Sequence, residues 1–353
     1  MYYFRFLYIF FFVIALNIFF FSTKNLIAKS FIINDIKISE PFEENFDKNN
    51  IIDAGFENAF FQLMDLLIRS DDLEKVESVK LNEIKSMIQS FTIKEEKFVN
   101  NYYFLNLGVI FEKKKIYDYL EKRNIFPSQI KREKFLFLPV VINENNNEIF
   151  VYENNLVYKK WNSNTKNINL LNYILPSEDL DDLNIIKSKI DNIENYNFEE
   201  IIKKYFLDYS IIALIFKEKN EIKVLSKINL KNNEIIINNS FQNYLLNDES
   251  EVMDFINKLK IVYEDLWKVQ NQINTSIKLP LIIEIENKNF KTSSNFEDIL
   301  KEIDLISDYS IKSFDKNFIY YEVIFNGTPQ NFIKTMGENN YEFDTQKKIW
   351  SLK

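Results

Sequence analysis

The sequence predicts an α+β chain built from two to three small αβ modules with mixed sheets, and three observations carry that reading. Apolar residues alternate at period two in many short stretches, as half-buried strands require. Between these lie stretches whose apolar residues fall three and four apart, the mark of helices with one buried face. Finally, 353 residues with 46% hydrophobic content and 34 Phe suffice for several small cores.

Residues 1–30 stand apart. Arg5 precedes a chargeless apolar run from Phe6 to Phe21, and Ala28-Lys29-Ser30 places small residues at −3 and −1 of a cleavage point before Phe31. The expectation is a signal peptide or, left uncleaved, a short membrane anchor. Either way the chain works outside the cytoplasm.

A first αβ module is expected over 31–130. Phe31–Ile38 alternates as a strand, and Pro41 begins the polar break that follows. Ile52, Phe56, Ala59, Leu63 and Leu66 mark a helix, with Arg69 placed to complement the dipole at its end. A shorter helix follows at Leu81–Gln89, then strands Phe91–Phe98 and Tyr102–Phe111 around an Asn100-Asn101 hairpin turn. Lys113–Lys122 is helical, and Pro127 closes the module.

A second αβ module is expected over 131–279. Lys134–Ile142 is a continuous apolar run, as in a strand buried on both faces. Helices near Leu180–Ile193 and Phe198–Tyr205 precede strands Ser210–Phe216, Ile222–Leu230 and Glu234–Ile237. A long helix spans Glu251–Ile273. Its residues Val252, Phe255, Leu259, Val262, Leu266, Val269 and Ile273 repeat at heptad spacing. Packing on its own sheet is the expected role, with a homodimer through the 252–273 helix as the alternative.

The third module, 280–353, reads strand-helix-strand-strand-helix-hairpin, the order of a ferredoxin-like split βαβ. Thr328-Pro329 is a helix start with Pro at N1. An echo connects this module to the first: Phe91–Phe111 and Tyr309–Phe325 are both hairpins followed by a helix. The expected cause is two similar modules rather than a duplication.

Composition excludes much chemistry. A net charge of −8 argues against a nucleic-acid partner. With no Cys and no His there is no disulfide, thiolate, imidazole base or usual zinc site. The four Gly do not cluster, which removes phosphate-cradling loops. No catalytic residue, cofactor or metal is expected. Lys and Asn abundance reads as base-composition drift, so Asn and Lys runs are discounted as functional marks.

Five residues stand out as candidates: Arg69, Trp161, Asp179, Asp182 and Trp267. Glu178, Asp179, Asp181 and Asp182 offer oxygen ligands for Ca²⁺ or Mg²⁺, but Ser177 and the acids after it equally cap and complement a helix start, which is the expected role. Arg69 is a candidate anion binder, with a helix-end charge expected. Trp161 offers a stacking surface for a sugar or peptide, with a core or rim position expected. Trp267 lies beside the heptad seam. Glu95-Glu96 point to opposite faces of a strand and cannot share a proton.

An ordered series of motifs runs through the chain: Ala59…Leu66-Leu67-Ile68-Arg69, the Phe91–Phe111 hairpin, Leu138-Pro139-Val140, Trp161, Leu175–Asp182, Tyr205…Tyr209…Ala213-Leu214-Ile215 and Leu266-Trp267-Lys268. With it the chain resembles exported Gram-negative proteins of domain-of-unknown-function family 2066. The middle module is also similar to the amino-terminal αβ domain of TolB, without a lipid-bearing Cys. The resemblance implies a periplasmic, non-enzymatic scaffold that binds another envelope protein, and it supplies no catalytic residues. The rival is a glycan hydrolase working through carboxylates alone. A third possibility is an inner-membrane-anchored assembly factor facing the periplasm.

Overall fold

The computed structural model describes residues 31–163, 169–219, 221–231, 233–287 and 290–353. The expected signal segment, 1–30, lies outside the described residues. The fold is α+β, with three mixed or antiparallel sheets. Among the described residues no helix is long and apolar enough to cross a membrane.

In chain order, β1 (Phe31–Pro41) and the helix α1 (Lys48–Leu67) come first. A 3₁₀ turn, Ser70–Asp72, leads to α2 (Glu74–Glu77) and α3 (Leu81–Met87), then β2 (Ile88–Val99), β3 (Tyr102–Phe111) and α4 (Lys113–Glu121). Next are β4 (Glu133–Asn143), β5 (Glu148–Phe150), α5 (Leu156–Lys160) and β6 (Leu171–Ile174). After α6 (Leu180–Ser188), a 3₁₀ segment (Ile190–Asn195) and α7 (Glu199–Lys203) come β7 (Tyr209–Lys217), β8 (Glu221–Leu230), β9 (Asn233–Gln242) and α8 (Glu249–Gln270). The last part holds β10 (Leu279–Glu286), α9 (Phe290–Glu302), β11 (Ile306–Phe314), β12 (Phe318–Phe325), α10 (Pro329–Gly337), β13 (Phe343–Asp344) and β14 (Trp350–Leu352).

The described chain forms two compact units. The first gathers residues up to Leu63, Ser78–Pro127 and Ile273–Lys353. It holds two sheets, ordered β1-β3-β2 and β11-β12-β10-β14-β13. In each, two strands joined through a helix lie parallel with the next strand inserted between them. That is β1 and β2 around β3, and β10 and β11 around β12. The sequence echo therefore falls on equivalent hairpins of two split βαβ modules. The tight turn of the first has Asn100 and Asn101 at φ 52° and 61°, the left-handed pair that a two-residue hairpin demands.

The third module keeps the ferredoxin-like strand order with one change. Because β13 intervenes as an edge strand antiparallel to β14, β14 reaches β10 in the parallel direction. Its core gathers Ile283, Phe296, Tyr321, Val323, Phe325 and Phe332, all buried. Helix α4 reaches across to the end of α9 and to β11. Lys113 Nζ donates to the Ile303 carbonyl at 2.8 Å, and Lys114 Nζ lies 2.5 Å from the Asp308 carboxylate.

The second unit contains Met64–Glu77 and Ser128–Gln272. Its sheet runs β5-β4-β7-β8-β9, with β6 pairing β4. Strand β4 is buried on both faces, as its unbroken apolar run requires. Leu138, Val140, Ile212 and Leu214 pack on Ile186 and Ile201 of α6 and α7. The opposite face, through Phe135 and Phe137, meets α8 and Trp161. The unit is thus a three-layer sandwich.

Three expectations are corrected here. Helix α8 does not bury the heptad stripe throughout. Val252, Phe255 and Leu259 are buried, but the stripe then passes to Tyr263 and Trp267, leaving Val269 exposed; Ile273 lies beyond the helix. A straight helix drifts from a seven-residue repeat, and one facing a sheet has no supercoil to absorb the drift. Strand β9 runs past Ile237 to Gln242 because it pairs residue for residue with β8. Helix α1 ends at Leu67, so Arg69 is not its last-turn cation but the residue before the 3₁₀ turn.

Candidate functional site

All five sequence candidates fall in the second unit, and they do not converge. Trp161 is buried against α8, and Trp267 lies on the buried face of α8 itself. The Trp161 ring stacks on Phe137 with centroids 3.7 Å apart, and Lys260 Nζ donates to the Trp161 carbonyl at 2.6 Å. Burial lowers the Lys260 pKa, and the Trp161 and Tyr173 ring faces lie within cation–π reach of its ammonium. Trp267 donates its indole N–H to the Lys131 carbonyl at 2.7 Å and meets Phe135 and Tyr209 edge-on. Trp161 is closed to any ligand by complete burial; Trp267, 4% exposed, is nearly so.

The acidic cluster is a helix start, but Asp179 rather than Ser177 caps it. Asp179 Oδ1 accepts the backbone N–H groups of Asp181 and Asp182 at 2.9 and 3.3 Å. Ser177 sits two residues earlier, where its N–H donates to the Tyr205 hydroxyl at 3.0 Å. Lys204 Nζ bridges Asp179 Oδ2 (2.8 Å) and Asp182 Oδ1 (2.7 Å). These bonds push the Lys204 pKa up, and the bond from Lys204 holds the Asp179 carboxyl below its usual range. The lysine occupies the space a cation would take between the two carboxylates. Among the described residues no group of three His, Cys, Asp or Glu is placed to hold a metal.

Burial raises the pKa of Glu264 above its ordinary value. Both its oxygens, however, accept backbone N–H groups, from Leu170 at 3.1 Å and Leu171 at 2.9 Å. It therefore anchors the entry to β6.

Two candidates line cavities: Asp179 a small one of about 90 Å³ beside the start of α6, and Arg69 a larger one. A groove of about 380 Å³ is lined by α8, the edge strand β9, Arg69 and Asp71. Its wall is mostly apolar, through Ile237, Val262, Leu266 and Val269, with Asn239 and Asp265 as polar points. Asp265 fixes the Arg69 segment by accepting the Ser70 N–H and hydroxyl. The Arg69 guanidinium reaches Asp72 at only 3.5 Å, while its Nε–H and the Asn239 side-chain oxygen have no hydrogen-bond partner among the described residues.

Strand β9 itself is what the sequence reading passed over. It ends the sheet, pairs with β8 without a bulge from Asn233 to Gln242, and carries no charged residue after Glu234. Sheet edges in soluble proteins are ordinarily blunted by lysines, prolines or bulges. The edge strand β2 shows such protection, with two bulges and both Lys94 and Lys97. The unbroken neutral run Ile235–Gln242 was the available signal. No family model and no curated protein matches this chain.

Proposed function

We propose that this chain is an exported envelope protein that binds an extended segment of a partner polypeptide by strand addition at β9, without catalysis. The supporting observation is the unprotected β9 edge beside a mostly apolar groove. A strand added there gains main-chain hydrogen bonds along the edge, and its alternate side chains enter the groove, which supplies specificity. Arg69, in the groove's lining, favours an acidic side chain or terminal carboxylate. Export rests on residues 1–30, and the periplasm and a scaffold role are carried with the motif resemblance as parts of the same proposal.

The test is site-specific photocrosslinking in the native envelope from position 238 on β9, with position 97 on β2 as control. A discrete adduct from 238, absent from 97 and abolished by Ile236→Pro, is expected. Equal adducts from both positions, or none from 238, overturn the reading. The mature N-terminus, read by mass spectrometry, is expected at or beside Phe31; an intact Met1 in a soluble cytoplasmic fraction refutes export.

A further inference from the structure

The first unit contains a further cavity, of about 330 Å³, where α4 meets the second sheet. Lys114, Tyr117, Asp118 and Glu121 line it from the helix. Thr275, Lys278 and Pro280 come from the segment entering β10, and Asp308, Ile324 and Asn326 from around β11 and β12. Its volume falls in the range of small-molecule sites, and its wall is mostly apolar.

Two side chains on this wall are more than nine-tenths buried and incompletely satisfied. Thr275 is 2% exposed and Asn326 4%, and neither Thr275 Oγ1 nor Asn326 Oδ1 has a hydrogen-bond partner among the described residues. Native proteins rarely leave buried oxygens so. Both atoms accept hydrogen bonds. The charges on the wall point the same way. Lys114 is taken by Asp308 at 2.5 Å and Lys278 by Glu121 at 2.9 Å. The Asp118 carboxylate makes no ion pair or hydrogen bond among the described residues, though its charge also acts on Lys114, so with three carboxylates against two lysines the wall carries a net negative charge.

We infer that this cavity binds a primary ammonium ion carried on a short aliphatic stem. The ammonium supplies three donors, for Thr275, Asn326 and the Asp118 carboxylate. Its stem lies along Tyr117, Pro280 and Ile324. A phosphate or carboxylate ligand would meet a wall of net negative charge. The site is in the other compact unit from β9 and is independent of the strand-binding reading.

Calorimetric titration of the full chain with 1,5-diaminopentane tests this, with 1,5-pentanediol as the neutral match. Saturable binding of the diamine is expected, at least tenfold tighter than the diol. Thr275→Val and Asp118→Asn are each expected to weaken it about tenfold, which is about 1.4 kcal/mol. Thr275→Val keeps the side-chain shape and removes the orphan oxygen, so its melting temperature is expected to be no lower than that of the parent. Asp118→Asn alters an exposed helix position and serves equally if the first variant folds poorly. Nα-acetyl-lysine amide replaces the diamine in a further arm. Tighter binding there assigns the ammonium to a polypeptide's lysine, and tighter diamine binding to a free amine; either supports the site. No saturable diamine binding, equal binding of the diol, or indifference to both substitutions overturns the inference.

Discussion

The carboxylate of Asp265 holds Ser70 with both oxygens. Its Oδ1 accepts the Ser70 backbone N–H at 3.0 Å and its Oδ2 the hydroxyl at 2.5 Å, across 195 residues of sequence. Helix α8 thereby sets the position of Arg69 in the lining of the β9 groove. Replacing Asp265 by Ala leaves two part-buried donors unpaired, at a cost of about 1–3 kcal/mol for such groups. Urea unfolding measures this, and Asp265→Asn, which keeps one acceptor oxygen, is expected to lose less.

At the start of α6, Asp179→Ala is expected to lower the melting temperature and Ser177→Ala to leave it nearly unchanged, because only Asp179 caps the helix. Asp179→Asn keeps the cap but removes the charge that pairs with Lys204. The pKa of Asp179 is lowered from 3.8 in the folded state, so its charge contributes stability above that value and loses it as pH falls through the folded pKa. Wild type should therefore exceed Asp179→Asn in stability near neutral pH, with the gap closing below pH 3.8. A gap that stays constant with pH refutes the ion-pair account.

Trp161 is a packing residue. Its complete burial against Phe137, Tyr173 and Tyr263 predicts a loss of about 3–5 kcal/mol for Trp161→Ala. Trp161→Phe is expected to lose less, since the indole N–H has no partner to forfeit among the described residues. Chemical denaturation of both variants checks the order.

Gly55→Ala is expected to destabilise the chain although Ala is the better helix former. A Cβ at this position in α1 meets Leu107 Cδ1 at 2.3 Å and Ile38 Cδ1 at 3.1 Å. Leu107 is fully buried, so any rotamer change that makes room disturbs the packing around it. Overpacking of this kind costs about 1–3 kcal/mol, against a propensity gain of about 1 kcal/mol. A rise in melting temperature for this variant would show that the sheet of the first module yields.

Much of the architecture is legible in the sequence where a residue type has one conformational meaning. Asn100-Asn101 between alternating strands specifies a two-residue hairpin, and Lys134–Ile142 specifies a strand covered on both faces. Other features depend on partners that lie far along the chain. Asn238, Asn239 and Ser240 have no strand propensity of their own; pairing with β8 extends β9 through them. Ser177 and Asp179 are both good caps, and the point at which the backbone turns decides between them. Pro139 sits within β4, and Asn155, whose side chain caps α5 and donates to the Pro139 carbonyl at 3.0 Å, builds a short helix that periodicity does not reveal. The two larger cavities escape the sequence for the same reason: Arg69 meets Asn239, and Tyr117 meets Ile324, only after folding.

The union of α4 with β11 also fixes a sequence of events in time. Lys114 must wait for Asp308, 194 residues later, before its ion pair can form. Contacts of such separation close late, after local hairpins and helices. While the intervening segment Ser128–Gln272 is being made, Tyr117 of α4 has Phe31 of β1 to pack on but not the Asp304 carbonyl that its hydroxyl meets later. A newly made chain therefore passes through a stage with one half-assembled unit, the stage at which a holding chaperone would matter most to its yield.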